Sequence, residues 1–263
     1  MNNVLKATAY RLRKTGAVKI CIVVSCVAAV LYFVLVNNIA TGAMDVSTAG
    51  SVSGLCDALI MWLTGSLAVG VIFCTDFQTK SIHCAIANRH GRGGVIKAYM
   101  ILYIAMILIL ILPYTLLSVG CLVAGVDFSG AEPAMTSIYL KNLLDTNADA
   151  SFVKIILVYI ASAVNYVGCI SICIPIAIKV KKPVVITAIG FMIGMLTALI
   201  CSLAEKAAVL KGIMRCLPYY YGANQVNLES GYGTILASLI VSTAFALLMG
   251  FLSYLFFRKE DIK

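Results

Sequence analysis

Residues 75–97 read TDFQTKSIHCAIANRHGRGGVIK, a short basic segment set between two long apolar runs. Thr75 and Gln78 have the spacing of a capping box, in which a hydroxyl and an amide satisfy the first free N–H groups of a helix. Ile82, Ala85, Ile86 and Arg89 then recur at helical spacing, with Lys80, His83 and Asn88 elsewhere on the wheel. Gly91, Gly93 and Gly94 close the pattern, because glycine accepts the left-handed geometry that ends a helix. The spacing predicts a surface helix of about two to three turns, held against the membrane and presented to another molecule. The alternative is a solvated loop whose basic bias does no more than set topology.

Outward from this segment the chain is almost all apolar. It is 62% hydrophobic and 12% charged, which excludes an ordinary soluble domain. Six runs are long enough to span a hydrocarbon core of roughly 30 Å, which takes about 20 helical residues. They lie near Ile20–Val36, Leu55–Phe73, Ala98–Val123, Val153–Ile178, Val184–Leu203 and Thr234–Phe257. The runs are continuous rather than alternating, so helices and not barrel strands are expected. The fold class is therefore an all-α polytopic membrane protein with six transmembrane helices.

Fifteen of the twenty lysines and arginines fall on one side of that arrangement. The N-terminal region has Lys6, Arg11, Arg13, Lys14 and Lys19, and the segment after the second span has Lys80, Arg89, Arg92 and Lys97. Lys179, Lys181 and Lys182 follow the fourth span, and Arg258, Lys259 and Lys263 follow the sixth. The positive-inside rule makes this side cytoplasmic, with both termini inside. The net charge of +9 is thus a topology and headgroup signal, and no nucleic-acid partner follows from it. The partner that composition itself implies is the lipid bilayer.

The remaining features are read in chain order. Asn2–Val18 forms an amphipathic helix with Leu5, Ala9, Leu12 and Gly16 on one face, suited to the membrane interface; a frayed basic tail is the alternative. A cleaved signal peptide is disfavoured because the first run exceeds a usual h-region. Asp57, near the start of the second span, is expected to reach water, and Trp62 to mark an interface. Pro113 should kink the third span. Asn165 should hydrogen-bond a neighbouring helix. Gly190 and Gly194 form a GxxxG face for close helix packing, within the chain or with a second one. Between the fifth and sixth spans, Leu203, Ala207, Leu210, Met214 and Leu217 form a stripe of a second amphipathic helix. Tyr219, Tyr220 and Tyr221 follow it as expected interfacial anchors. Cys169 and Cys173 share a helix face and are read as packing residues, whereas Cys56, Cys121, Cys201 and Cys216 near the outer side leave pairing open.

The chain has no GxxxxGK[ST], HExxH or GxSxG motif and no histidine within a span, so no nucleotide, metal or nucleophile site is expected in it. His83, His90 and Asp76 match no trusted metal-ligand spacing. Few charges fall inside the spans, which argues against an ion-coupled secondary transporter. The remaining picture is a path without its own source of energy.

The layout resembles the ABC-2 class of ABC transporter permeases, including small ones for bacteriocin or lantibiotic export and immunity. The local match is DFQTKSIHCAIANRHGRGGVIKAYMI, with Asp76, Arg92 and Lys97 at the places of an acidic residue, an arginine and a lysine before the third span. The family's glycine is displaced here into Gly91, Gly93 and Gly94. The resemblance implies that the whole of 1–263 is one membrane domain: an amphipathic region 1–19, a six-helix region 20–257 with a cytoplasmic coupling helix within 75–97, and a tail 258–263. It also implies that Phe77, Lys80, Ile82, His83, Ile86, Arg89 and Arg92 dock on a separate ABC ATPase subunit. That partner would bind ATP, leaving this chain without a cofactor or catalytic residues. A second permease chain, identical or sister, would complete the path in a bacterial plasma membrane. The competing reading is a non-transporting sensor or assembly subunit that grips a cytoplasmic partner through the same helix.

Overall fold

The computed structural model describes residues 2–45, 52–78, 92–124, 152–204, 206, 208–222, 226 and 230–259. Among these residues every regular element is helical. The α-helices are α1 (Asn2–Lys14), α2 (Gly16–Ala40), α3 (Asp57–Gln78), α4 (Arg92–Ala124), α5 (Phe152–Ile170), α6 (Cys173–Val180), α7 (Pro183–Ala204), α8 (Ala208–Met214) and α9 (Tyr232–Lys259). Short 3-10 turns cover Ser53–Leu55 and Pro218–Tyr221. Six stretches of the described chain are long and apolar enough to cross a membrane: α2, α3, α4, the pair α5–α6, α7 and α9.

The spans extend further than hydropathy alone predicts. α1 ends at Lys14, short of the expected Val18, and α2 begins at Gly16. Thr15 makes the elbow with extended backbone, and its hydroxyl is spent on the Arg11 carbonyl at 2.9 Å rather than on capping α2. Thr75–Gln78 form the last turn of α3 and do not start a new helix. Gly93 and Gly94 lie in the first turn of α4. Neither has the positive φ of a helix stop; among the described glycines only Gly42 does. The rest of the expected surface helix, residues 79–91, lies outside the described residues, as do residues 125–151 of the second outer loop.

The two spans with an internal proline behave differently. α4 runs as one helix through Pro113. The fourth span instead breaks at Ser171–Ile172, between α5 and α6. Pro175 explains this, because its ring excludes the carbonyl of residue 171, four positions back, and it has no N–H to offer it. That carbonyl is taken by the Ile174 N–H at 3.0 Å, a tighter 3-10 bond, while the Ser171 hydroxyl donates to the Gly168 carbonyl at 2.6 Å.

Small residues decide which spans touch. α7 packs chiefly on α3, and α9 on α5. A Cβ at Gly190 would meet Ser66 Cβ at 2.4 Å, and one at Gly194 would meet the Trp62 ring at 2.5 Å. The GxxxG face therefore has its partner inside the chain, on α3. Across α5 and α9, a Cβ at Gly168 would sit 3.0 Å from Ser242 Cα. Ser238, Ser242 and Ala246 are buried at spacing four along α9, the same small-residue device. Interhelical hydrogen bonds add register: Ser25 Oγ donates to the Leu110 carbonyl at 2.6 Å, and Tyr103 OH to the Val167 carbonyl at 2.6 Å.

Three outer-side expectations are revised. Asp57 is fully buried and accepts a hydrogen bond from the Ala58 N–H at 2.9 Å, satisfying a free donor of the helix start instead of reaching water. The second amphipathic helix is only α8, with Met214 buried and Val209 and Ile213 exposed. The tyrosines after it fold onto the bundle: Tyr219 stacks on Trp62 with centroids 6.2 Å apart, and Tyr221 is buried. Asn165 holds this turn, donating from Nδ2 to the Pro218 carbonyl at 3.0 Å and accepting from Cys169 Sγ at 3.1 Å. Cys201 Sγ donates to the Tyr219 carbonyl at 3.5 Å, which ties the same turn to α7.

Candidate functional site

Residues 79–91 hang between the last turn of α3 and the first of α4, so the chemistry of those two ends decides how the segment is held. On the α3 side Asp76 has a side chain only 3% exposed. A carboxylate so deep must be paired and hydrogen-bonded. It forms a salt bridge with Arg11 of α1 and accepts a hydrogen bond from Tyr99 OH of α4. Three helices therefore meet at one carboxylate. Partial burial pulls the Arg11 guanidinium below its ordinary pKa, but arginine starts so high that it remains a cation.

The next two residues reach different elements. Phe77 lies edge-on to Phe257 of α9, centroids 5.8 Å apart at 83°, and Lys181 Nζ stands 5.3 Å from its ring centre. Gln78 donates from Nε2 to the Lys181 carbonyl at 3.2 Å. That carbonyl belongs to the tight link between α6 and α7. Lys181 takes the left-handed conformation at φ 55°, and Pro183 opens α7 with a ring that fits the first helical position. Gly70 of α3 allows the close approach, since a Cβ there would stand 2.9 Å from Pro183 backbone atoms.

On the α4 side the fastening is Arg92. Its Nη1 donates to the Phe257 carbonyl at 3.3 Å and also to the Arg258 carbonyl. Those carbonyls lie in the last described turn of α9, where a cation is favoured by both hydrogen bonding and the helix dipole. Phe257 itself is fully buried, between Phe77 and Arg92. Gly93 leaves room for Tyr254 of α9, whose ring would lie 3.5 Å from an added Cβ.

Of the residues expected to dock a partner, Phe77 and Arg92 are thus engaged within the chain, as the fastenings of the segment's two ends. Lys80, Ile82, His83, Ile86 and Arg89 lie outside the described residues. Gly190 and Gly194 lie at the α3–α7 contact. Asp76 is committed to Arg11 and Tyr99. Sequence reasoning missed Arg11, Tyr99 and Phe257, the partners that make a frame of these ends. Only Arg11 and Asp76, as opposite charges flanking apolar runs, left a signal that could have suggested pairing.

No family model matches this chain, and neither a curated protein nor a solved structure matches it.

Proposed function

We propose that this chain is the permease subunit of an ATP-driven exporter of the ABC-2 kind, working in a bacterial plasma membrane with its basic end in the cytoplasm. A separate ATPase subunit docks on residues 79–91, with Lys80, Ile82, His83, Ile86 and Arg89 as the contact surface. A second permease chain completes the path, and an amphiphilic antimicrobial peptide or a drug-like molecule is the cargo. The observation that carries this reading is the frame beneath the segment. Both of its ends are fastened, through Asp76 to α1 and α4, through Gln78 to the α6–α7 link, and through Arg92 to the end of α9. A push on a segment held in this way passes into the bundle, whereas a slack loop would absorb it.

The packing indicates how such a push would spread. α3 and α7 are interlocked through Gly190, Gly194 and Gly70 and would move together. α5 and α9 are interlocked through Gly168 and Ser242 as a second pair. Relative motion of closely packed pairs is a hinge-and-shear change of the ordinary sort. α6, the half of the fourth span beyond the break at Ser171–Ile172, bridges the pairs by packing against both α3 and α9.

Affinity capture of the full chain from native membranes tests the reading. A P-loop ATPase should co-purify with the wild type and be lost with the Ile82→Asp/Ile86→Asp variant. Recovery of no ATPase, or equal recovery with the double variant, would overturn it.

A further inference from the structure

The turn Pro218–Tyr221 carries one residue that touches both interlocked helix pairs. Tyr219 stacks its ring on Trp62 of α3, centroids 6.2 Å apart at 19°, and its carbonyl accepts from Cys201 Sγ of α7 at 3.5 Å. Toward the other pair, the same ring stands edge-on to Phe245 of α9, centroids 5.8 Å apart at 75°. Its hydroxyl donates to the Cys169 carbonyl of α5 at 3.3 Å. All four helices of the two pairs thus meet at a single residue that belongs to none of them.

Position in the bundle gives that contact its consequence. α6 also packs on both pairs, but it starts at Cys173, past the break in the fourth span and toward the basic end. At the opposite end α7 and α9 both pack on the turn and scarcely on each other, so the turn is their bridge there. Behind it the fourth span buries Asn165, Cys169 and, at the break, Ser171. Asn165 Nδ2 donates to the Pro218 carbonyl at 3.0 Å, and Cys169 Sγ to Asn165 Oδ1 at 3.1 Å. Withdrawing the turn removes the hydrogen bonds it makes to Asn165 and Cys169. Buried polar groups that lose a partner need a replacement, which here is water or a polar ligand entering from that end.

We infer that Tyr219 is a latch on the outer end of the bundle. Seated, it fastens α3 and α7 to α5 and α9; withdrawn, it opens the seam between the pairs down to the break at Ser171–Ile172. The pairs then part at that end while α6 keeps them joined at the other, a hinge motion rather than a separation. An aromatic side chain suits the task, because its contacts are given up without leaving an unpaired charge. The latch follows from the packing alone, and its role as the outer closure of a transport path rests on the exporter reading.

The test is thiol labelling of the purified full chain in detergent micelles with a polar maleimide, resolved by site with peptide mass spectrometry; it needs no ATPase. Cys169 and Cys201 report on the two pairs beside the latch. Cys74, buried with its thiol donating to the Ala177 carbonyl at 3.5 Å, reports on the basic end. An aromatic pair favours its contact by roughly twofold to tenfold. Tyr219→Ala loses two such pairs and should raise the labelling rates of Cys169 and Cys201 at least about fivefold, with Cys74 unchanged within about twofold. Phe245→Ala loses one pair, leaves the turn itself intact, and should raise Cys169 by roughly twofold to tenfold. Tyr219→Phe, which keeps both ring contacts, should gain less than Tyr219→Ala. Unchanged rates in both alanine variants, or Cys74 rising as steeply as Cys169 in both, would overturn the latch. Phe245→Ala keeps the idea testable if Tyr219→Ala fails to fold. The exporter reading would survive that failure of the latch, just as the latch would survive the absence of an ATPase partner.

Discussion

Cutting the salt bridge between Arg11 and Asp76 should release α1 from the bundle, and by an amount that differs between the two partners. α1 has thirteen residues, and isolated helices shorter than about 12–15 residues are marginal in water. Its order therefore depends on docking. Leu12 and Thr8 are its buried contacts, and burying a leucine contributes about 2 kcal/mol. Removing one partner of a fully buried ion pair costs about 3–5 kcal/mol. The Arg11 side chain is 31% exposed, so solvent screening reduces its loss on Asp76→Asn to about 2 kcal/mol. Arg11→Gln should cost more, about 3 kcal/mol, because it strands a carboxylate that is almost wholly buried. At about 1.4 kcal/mol per factor of ten, amide hydrogen exchange across residues 5–14 should accelerate roughly thirtyfold in Asp76→Asn. In Arg11→Gln it should accelerate roughly a hundredfold. The Arg11→Met/Asp76→Leu double variant should lose less than the sum of its single changes, because no charge is left unpaired. Mass spectrometry of exchange in detergent micelles reads all of this directly. Exchange unchanged within twofold in both single variants, or strictly additive effects, would refute the view that this pair fastens α1.

Two further perturbations test the helix contacts. Gly190→Ala places a methyl 2.4 Å from Ser66 Cβ and 2.9 Å from Cys173 Sγ. It should destabilise by about 1–3 kcal/mol, as overpacking does, and adding Ser66→Gly should restore more than half of the loss in thermal unfolding of the solubilised chain. Asn165→Leu removes the donor to the Pro218 carbonyl and should loosen the turn by about 1 kcal/mol. Trp62, the only tryptophan in the chain, stacks on Tyr219 of that turn, so its fluorescence should shift in emission and become more quenchable; an unchanged spectrum would count against the contact.

What could be read from the sequence was what each residue prefers by itself. Six long apolar runs imply helices because a backbone in hydrocarbon must satisfy its own polar groups, and the six spans duly appear. The GxxxG face of α7 was legible for the same reason, since two glycines four apart permit only close packing or none. The stripe of Ser238, Ser242, Ala246 and Gly250 on α9 has the same spacing, but the hydroxyls and an alanine among leucines disguise it. Pro113 signals an interruption of the third span, whereas the break at Ser171–Ile172 is missed, because Pro175 lies inside an apolar run that reads as one continuous fourth span. α4 nonetheless runs as one helix through Pro113. The other features that escaped are preferences that belong to pairs. A tyrosine at the end of a span favours the interface when considered alone, but Asn165, a buried amide needing an acceptor, draws Pro218 and the tyrosines after it inward. Arg92 reads as a topology charge until the last described turn of α9 is brought beside it. Arg11 and Asp76 are separated by the whole of the first two spans, and no periodicity links them. The frame under residues 79–91 is made entirely of such pairs. That is why the segment's neighbours, and not its own composition, determine whether a force applied to it could reach the rest of the bundle.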